Sequence, residues 1–200
     1  MSKADCCDVE TQHLRRTVLW AVLAVNLTLF AVEVVAGVLA RSTALLGDSL
    51  DMLGDSLVYG FSLYVLERST RWKARAAFLK GSVMLAFGVG VLAEVGRKVL
   101  TPAQPVAEVM GAIGLLALVG NAVCFWLLYR HRSDDLNMRS TWLCSRNDLL
   151  ANTAVLGAAA GVSLTGSHWP DVLVGGAIAV LFVQTALAVV RASVAELRRA

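Results

Sequence analysis

The chain has 200 residues, of which 57% are hydrophobic and only 16% are charged. Soluble globular proteins carry about 25% charged and roughly 45–50% apolar residues, so this composition excludes a soluble enzyme and a disordered chain. The net charge of +3 is too small for a protein that binds nucleic acid through a basic face, and we expect no nucleic-acid partner. The composition indicates an integral membrane protein in contact with a lipid bilayer.

Six apolar segments are long enough to cross a bilayer, which requires about 20 helical residues. Short polar, glycine-containing or proline-containing breaks separate them, so the sequence predicts an all-α fold, a bundle of six transmembrane helices over 17–190. An N-terminal tail at 1–16 and a short C-terminal stub at 191–200 flank this domain. The predicted spans are 17–40, 43–66, 76–96, 106–129, 138–164 and 171–190.

Lysine and arginine fall mostly on one side of these spans. Cytoplasmic loops of membrane proteins are enriched in both residues, so we expect both termini, and with them the tail and the stub, to be cytoplasmic. Only Arg41, Arg97 and Lys98 fall on the opposite side, and Arg146 falls within a span. The fourteen residues assigned to the cytoplasmic side are Lys3, Arg15, Arg16, Arg68, Arg71, Lys73, Arg75, Lys80, Arg130, Arg132, Arg139, Arg191, Arg198 and Arg199.

Six ionisable residues lie away from the ends of the predicted spans. Each charge at the centre of a membrane helix costs about 2.5–3.5 kcal/mol on insertion scales, so three ionised aspartates on one span cost roughly 8–10 kcal/mol. Helix packing does not require that cost, which favours a functional role over protonated carboxyl groups facing a polar bundle interior. The six residues are Glu33, Asp48, Asp51, Asp55, Arg146 and Asp148.

The spacing of these residues predicts one shared site. Asp51 and Asp55 are four residues apart and so lie on one face of the second span, and Cys144 and Asp148 repeat this spacing on the fifth. Counted from the nearest loop at 1.5 Å per residue, Asp51 and Asp148 both lie about 14–15 Å deep in an apolar slab about 30 Å thick. We therefore expect the two pairs to converge near the middle of the membrane.

Three carboxylates and a thiolate in a tetrahedral arrangement suit a borderline or soft divalent ion. Zn²⁺ or Cd²⁺ fits such a ligand set better than Mg²⁺ or Ca²⁺ does. If Cys144 is buried and inert, Asn147 or a water molecule supplies the fourth ligand. Asn152, four residues after Asp148, is the best candidate for a supporting hydrogen bond to the ligands.

Two further groups of residues keep alternative interpretations. Asp48 lies on the same face as Asp51, and Glu33 lies closer to the outer side. Each of them has two interpretations: it carries protons or attracts cations, or it is a carboxylate bonded to a neighbouring helix. Cys6, Cys7 and His13 precede the first span, where they form either a metal-capture site or an ordinary flexible tail.

The segment 33–59, EVVAGVLARSTALLGDSLDMLGDSLVY, resembles the signature that the cation diffusion facilitators, a family of divalent-metal/proton antiporters, carry across their first two spans. The family has His-x-x-x-Asp in its fifth span, where this chain has Cys144 and Asp148. The signature positions present are Glu33, Gly37, Ser42, Ala44, Leu45, Leu46, Asp48, Asp51 and Asp55, and the sixth span begins Trp169, Pro170, Asp171 as in the family.

This resemblance implies a secondary transporter that exports Zn²⁺ or Cd²⁺ in exchange for protons by alternating access. It implies no catalytic activity and no cofactor, a homodimer as the assembly, and a bacterial inner membrane as the location. Cys144 in place of histidine is expected to shift preference toward softer ions such as Cd²⁺. The family's cytoplasmic C-terminal metal-binding domain has no counterpart in the sequence, so we expect a short form.

Two other functions compete with transport. Two aspartates on facing helices could share a proton as in an aspartyl hydrolase, but such an enzyme would carry a Gly-x-Gly-Asp motif, which the sequence lacks. A metal-sensing or accessory protein that uses the Cys6-Cys7 tail would leave the three aspartates of the second span without a role.

Overall fold

In a computed structural model the chain forms a bundle of long α-helices. The structure describes the backbone of residues 3–65, 70–130 and 136–199, and the side chains of residues 17–60, 72, 74–129 and 148–198. Within these ranges there is no strand, which confirms the all-α prediction. The helices are α1 (Lys3–Leu39), α2 (Thr43–Val65), α3 (Thr70–Leu100), α4 (Ala107–Arg130), α5 (Leu136–Thr165) and α6 (Trp169–Arg199).

The first and last helices extend beyond the predicted spans. α1 begins at Lys3 and α6 continues to Arg199, because neither 3–16 nor 191–199 contains a glycine or proline that would interrupt a helix. Five of the described helices contain a stretch that is long and apolar enough to cross a membrane. These stretches are Thr17–Leu39, Ala74–Leu100, Ala107–Tyr129, Asp148–Thr165 and Trp169–Arg198.

The helix that lacks such a stretch is α2, which is also the centre of the bundle. Asp48, Asp51 and Asp55 reduce its apolar character, although its 23 residues are sufficient in length to cross a bilayer. α2 packs against all five other helices, whereas α3 packs mainly on α6 and α4 mainly on α5. The helix that carries three aspartates therefore lies inside the bundle, in contact with every other helix.

Small residues line the contacts between helices, and large apolar side chains point outward. Ala36, Ala44 and Ala158 belong to one buried cluster, which brings α1, α2 and α5 together. Trp20, Leu115, Leu164 and Leu173 are more than half exposed, as expected for side chains that face lipid. This inversion of the usual pattern confirms an integral membrane protein.

A tight turn joins α1 to α2 and sets the starting point of α2. The amide of Ser42 donates to the carbonyl of Gly37 at 2.8 Å, and that of Arg41 donates to Val38 at 3.2 Å. Arg41 has φ of 53°, so this turn is a Schellman motif completed by a non-glycine residue in the left-handed region. Ser42 then caps α2 by accepting the amide of Leu45 at 3.1 Å.

Candidate metal-binding cavity

Three of the predicted ligands line one cavity in the bundle. The cavity has a volume of about 590 Å³ and lies between α2, α3, α5 and α6. Asp51 and Asp55 reach it from α2, and Asp148 reaches it from α5. On α6 the lining extends from Val174 to Val189, about 22 Å along the helix at 1.5 Å per residue. The remaining wall is mostly apolar, with Met84, Ile178, Leu181 and Phe182 among its side chains.

The carboxyl groups of Asp55 and Asp148 lie within hydrogen-bonding reach of each other, across the interface of α2 and α5. Two carboxyl groups form a hydrogen bond only when one of them holds a proton. Asp55 also accepts a hydrogen bond from the buried Tyr59 hydroxyl, one turn along α2, at 2.7 Å. Asp51 accepts no hydrogen bond from any described residue, and it lines the cavity.

A second group of polar side chains lies next to these carboxylates and is fully buried. Asn152 of α5 donates to both oxygens of Asp48, at 3.0 and 2.9 Å, and accepts a hydrogen bond from Asn121 of α4 at 3.1 Å. Glu33 of α1 approaches Asp48, but neither of its oxygens accepts an N–H or O–H bond from the described residues. Four helices thus meet around Asp48.

The structure changes the predicted role of Asn152, which contacts Asp48 and not Asp148. The contacts Asp55–Asp148 and Asp48–Asn152 show that α2 and α5 run antiparallel: moving forward along α5 corresponds to moving backward along α2. Asn152 lies one turn after Asp148 on α5. Because the helices are antiparallel, it meets Asp48, which comes before Asp55 on α2. Through these bonds Asn121 and Asn152 link α4 and α5 to α2.

A further acidic group, around Asp171, lies where α6 begins. The carboxylate of Asp171 accepts bonds from Ser42 Oγ at 2.6 Å, from the amides of Thr43 at 2.8 Å and Ala44 at 3.0 Å, and from Lys98 Nζ at 2.7 Å. The carboxylate therefore satisfies amide groups at the start of α2 that have no partner within the helix. Its negative charge is also stabilised by the positive end of the α2 dipole. All of these side chains are buried.

Two lysines have surroundings that the sequence does not predict. Lys98, which the sequence places on the side opposite most of the basic residues, is 1% exposed and paired with Asp171. Lys80, which the sequence counts among the charges of the cytoplasmic side, lines the cavity with the three aspartates, and the side of the membrane that it faces stays a prediction. Lys80 falls inside the predicted span 76–96, and that position was the available signal for a role within the membrane.

Five of the predicted site residues lie outside the described side chains, namely Cys6, Cys7, His13, Cys144 and Asn147. Among the described side chains, no three His, Cys, Asp or Glu residues lie close enough together to hold a metal ion. Asp51, Asp55 and Asp148 share a cavity without closing around a common point. The four-residue ligand set therefore stays a prediction.

Comparison with known proteins identifies the family. Residues 19–198 match the family described as the cation efflux transmembrane domain. The zinc transporter ZitB of Escherichia coli is 30% identical to this chain, over 83% of the chain and 57% of ZitB. The metal cation efflux system protein CzcD of Cupriavidus metallidurans is 27% identical, over 80% of the chain and 53% of CzcD.

A third relative is the cadmium, cobalt and zinc/H(+)-K(+) antiporter of Bacillus subtilis, which is 23% identical over 82% of this chain. The chain spans 53% to 57% of the length of these three relatives. All three are bacterial, in agreement with the predicted location in a bacterial inner membrane. Because the family match covers nearly the whole chain and includes α2 with its aspartates, the protein belongs to the cation efflux family, the cation diffusion facilitators.

Proposed function

We propose that this protein is a secondary transporter that exports a divalent metal ion, Zn²⁺ or Cd²⁺, in exchange for protons. The observation that carries the proposal is the cavity that Asp51, Asp55 and Asp148 line together. Three carboxylates on two facing helices supply negative charge in the interior of a membrane bundle, where a cation is the compensating group. The relatives, which include a zinc transporter and a cadmium, cobalt and zinc antiporter, support the same class of substrate.

The arrangement of the carboxylates explains how protons couple to the metal ion. Like charges this close cannot all persist in a dry site without a compensating cation. Protons hold the empty site together, as in the contact between Asp55 and Asp148, and metal binding displaces them because the ionised carboxylate is the ligand. Cys144, if it completes the site as a thiolate, adds one more group that must lose its proton.

Alternating access requires one part of the bundle to move past another. The cavity lies between the closely packed pair α3–α6 on one side and α2 with α5 on the other. We infer that all six helices, including α2, cross the membrane and that both termini are cytoplasmic. Tilting of the α3–α6 pair relative to α2 and α5 then opens the cavity first to one side and then to the other. A homodimer remains the expected assembly.

The pair Asp55–Asp148 also resembles the two carboxyl groups of an aspartyl hydrolase, which share a proton. That alternative predicts cleavage of a membrane substrate without any metal ion. Asp51, in the same cavity, has no part in such a reaction, whereas a transporter uses all three carboxylates. A metal sensor without transport predicts metal binding but no flux.

The decisive experiment is metal uptake into liposomes that contain the purified chain, with a metal-sensitive and a pH-sensitive dye. We expect uptake of Zn²⁺ and Cd²⁺ with proton movement in the opposite direction, and loss of both in Asp51→Ala and Asp148→Ala. Glu94→Gln is the matched control, because Glu94 is a membrane-level acid outside the cavity, paired with Arg97. Normal uptake in the double variant Asp51→Ala/Asp148→Ala would contradict the assigned site.

The metal preference is tested in the same liposomes with Cys144→His. Replacing a thiolate by an imidazole should lower uptake of Cd²⁺ relative to Zn²⁺, since thiolates favour softer ions. Co²⁺ and Mn²⁺ provide harder reference ions. If the variant and the unchanged protein share one selectivity profile, Cys144 is not a ligand.

A further inference from the structure

Lys80 is the one cationic side chain among the described residues that line the cavity. It reaches the cavity from α3, opposite Asp51 and Asp55 on α2 and Asp148 on α5. Its ammonium group interacts electrostatically with the carboxyl group of Asp55. The three ionised carboxylates would carry a charge of −3, and Lys80 reduces the total to −2. The cavity that we propose binds a metal ion therefore already contains a positive charge.

The position of Lys80 along α3 does not explain this placement. Lys80 is six residues inside the apolar stretch that begins at Ala74, about 9 Å along the helix. A lysine at that depth commonly extends its side chain toward the nearest polar surface. The neighbours Phe78 and Leu79 are exposed on the outside of the bundle, as lipid-facing side chains are, whereas Lys80 is half-buried and turned toward the aspartates.

Lys80 also differs from the other lysine that is buried in this bundle. Lys98 is held by Asp171 at 2.7 Å and donates to the carbonyl of Arg41, so it belongs to a closed set of bonds. Lys80 lies in a cavity that has room for another cation, and it interacts with Asp55. A metal ion bound by Asp55 would therefore lie in the field of the ammonium group.

We propose that Lys80 is a tethered counter-cation that sets the affinity of the cavity for the transported ion. In the empty protein its ammonium group compensates part of the carboxylate charge. When a divalent ion enters, repulsion between the two cations weakens binding and speeds release to the other side. Lys80 thus lowers the affinity for the metal ion and raises the rate of its release. This inference rests on the proposed transport function and adds a residue that determines its affinity.

The test compares metal affinity and transport rate in charge-removing and charge-keeping variants of the full chain. Cd²⁺ and Zn²⁺ binding is measured by calorimetry on the protein in lipid nanodiscs, and uptake is measured in liposomes. We expect Lys80→Met to bind Cd²⁺ roughly tenfold more tightly, because two cations held in one cavity of intermediate dielectric repel each other. Its maximal uptake rate should fall, while the concentration for half-maximal uptake also falls.

Two further variants separate this role from a structural one. Lys80→Arg keeps the positive charge and should restore affinity and rate toward those of the unchanged protein. Arg75→Met removes a cation from the same helix at a residue that stacks on Trp72 and does not line the cavity, and it should leave both quantities unchanged. If Lys80→Met does not fold, Lys80→Gln removes the same charge and keeps a polar end group.

The outcomes distinguish this inference from the proposed function. Unchanged Cd²⁺ affinity in both Lys80→Met and Lys80→Gln, with normal uptake by the unchanged protein, would overturn the role of Lys80 alone. An equal gain in Cd²⁺ affinity for Arg75→Met would also overturn the role of Lys80. The gain would then come from the general loss of positive charge and not from the cavity. Absence of metal binding and uptake in the unchanged protein would overturn the proposed function and this inference together.

Discussion

The outer cluster around Asp171 and the central cavity both bring carboxylates and a lysine into the bundle, but they satisfy them differently. The carboxylate of Asp171 accepts two backbone amides, the hydroxyl of Ser42 and the ammonium of Lys98. In the cavity, Asp55 has one hydroxyl donor and another carboxyl group, and no described residue donates to Asp51. The outer cluster is complete without a ligand, and the cavity is not.

This difference teaches how to separate structural from functional charges in a membrane protein. A buried ion pair is tolerated when hydrogen bonds satisfy the remaining lone pairs and protons, and then it fixes the position of the helices that contribute to it. Carboxylates that lack such partners raise the free energy of the folded state unless a cation or proton compensates them. The outer cluster joins the ends of α2, α3 and α6, whereas the cavity stays available to a cation.

The largest expected effect comes from Asp171→Asn, which removes the charge that pairs with Lys98. Loss of one partner of a buried ion pair costs about 3–5 kcal/mol, because the other charge stays buried and unpaired. We expect a large fall in the unfolding temperature of the purified protein in detergent. The double variant Asp171→Asn/Lys98→Met should recover part of it. Equal stability of Asp171→Asn and the unchanged protein would show that the outer cluster is not structural.

The next effect tests how closely α6 approaches the start of α2. A Cβ atom on Gly175 would overlap the carbonyl group of Thr43, so only glycine permits this contact. Gly175→Ala is expected to lower the free energy of unfolding by about 1–3 kcal/mol through overpacking. Gly157→Ala is the matched control, since a Cβ there meets nothing within 4 Å; the free energy of unfolding should rise or stay unchanged. Equal results for the two variants would mean that α6 can move away from α2 freely.

The buried group around Asp48 is intermediate between the outer cluster and the cavity, because its carboxylate is well hydrogen-bonded but lies close to the cavity. Asn152→Ala removes the donor to both oxygens of Asp48, and an unsatisfied buried group costs about 1–3 kcal/mol. Thr153→Ala is the control, since its exposed hydroxyl bonds only to the carbonyl of Leu149 in its own helix. Thermal unfolding of the two variants measures the difference. Equal stability would place Asp48 with the cavity carboxylates and not with the outer cluster.

Much of the cavity could be predicted from the sequence, because helical spacing and depth are local properties. The spacing of four residues placed Asp51 and Asp55 on one face of α2, and counting from the loops placed Asp148 at the same level. The structure brings all three to one cavity. The number of residues between a charge and the nearest loop gives its position along the bundle axis, which is why the sequence could bring these three residues to one level. Their depth in a membrane stays a prediction.

Depth alone does not tell which way a side chain points or which helix it meets. Lys80 was placed with the cytoplasmic charges because it lies near a span end, but its direction around α3 depends on how α3 packs against α2 and α6. The pairing of Lys98 with Asp171 joins residues 73 positions apart. The partner of Asn152 depends on the antiparallel stagger of α2 and α5, which spacing within one helix does not contain.

The smallest expected effect has the opposite sign and tests the comparison most directly. Asp148→Asn replaces a carboxyl group that can stay beside Asp55 only by sharing a proton with a neutral amide that can donate to Asp55, so the cost of taking up that proton disappears and the metal-free protein should be stabilised by about 1 kcal/mol. The unchanged protein should gain stability when Cd²⁺ is added, by about 2.7 kcal/mol at a hundredfold excess over its dissociation constant, and the variant should not. Unfolding temperatures with and without Cd²⁺ measure both effects. If Asp148→Asn destabilises the protein as Asp171→Asn does, Asp148 is part of the scaffold, and the distinction between a completed outer cluster and an incomplete cavity fails.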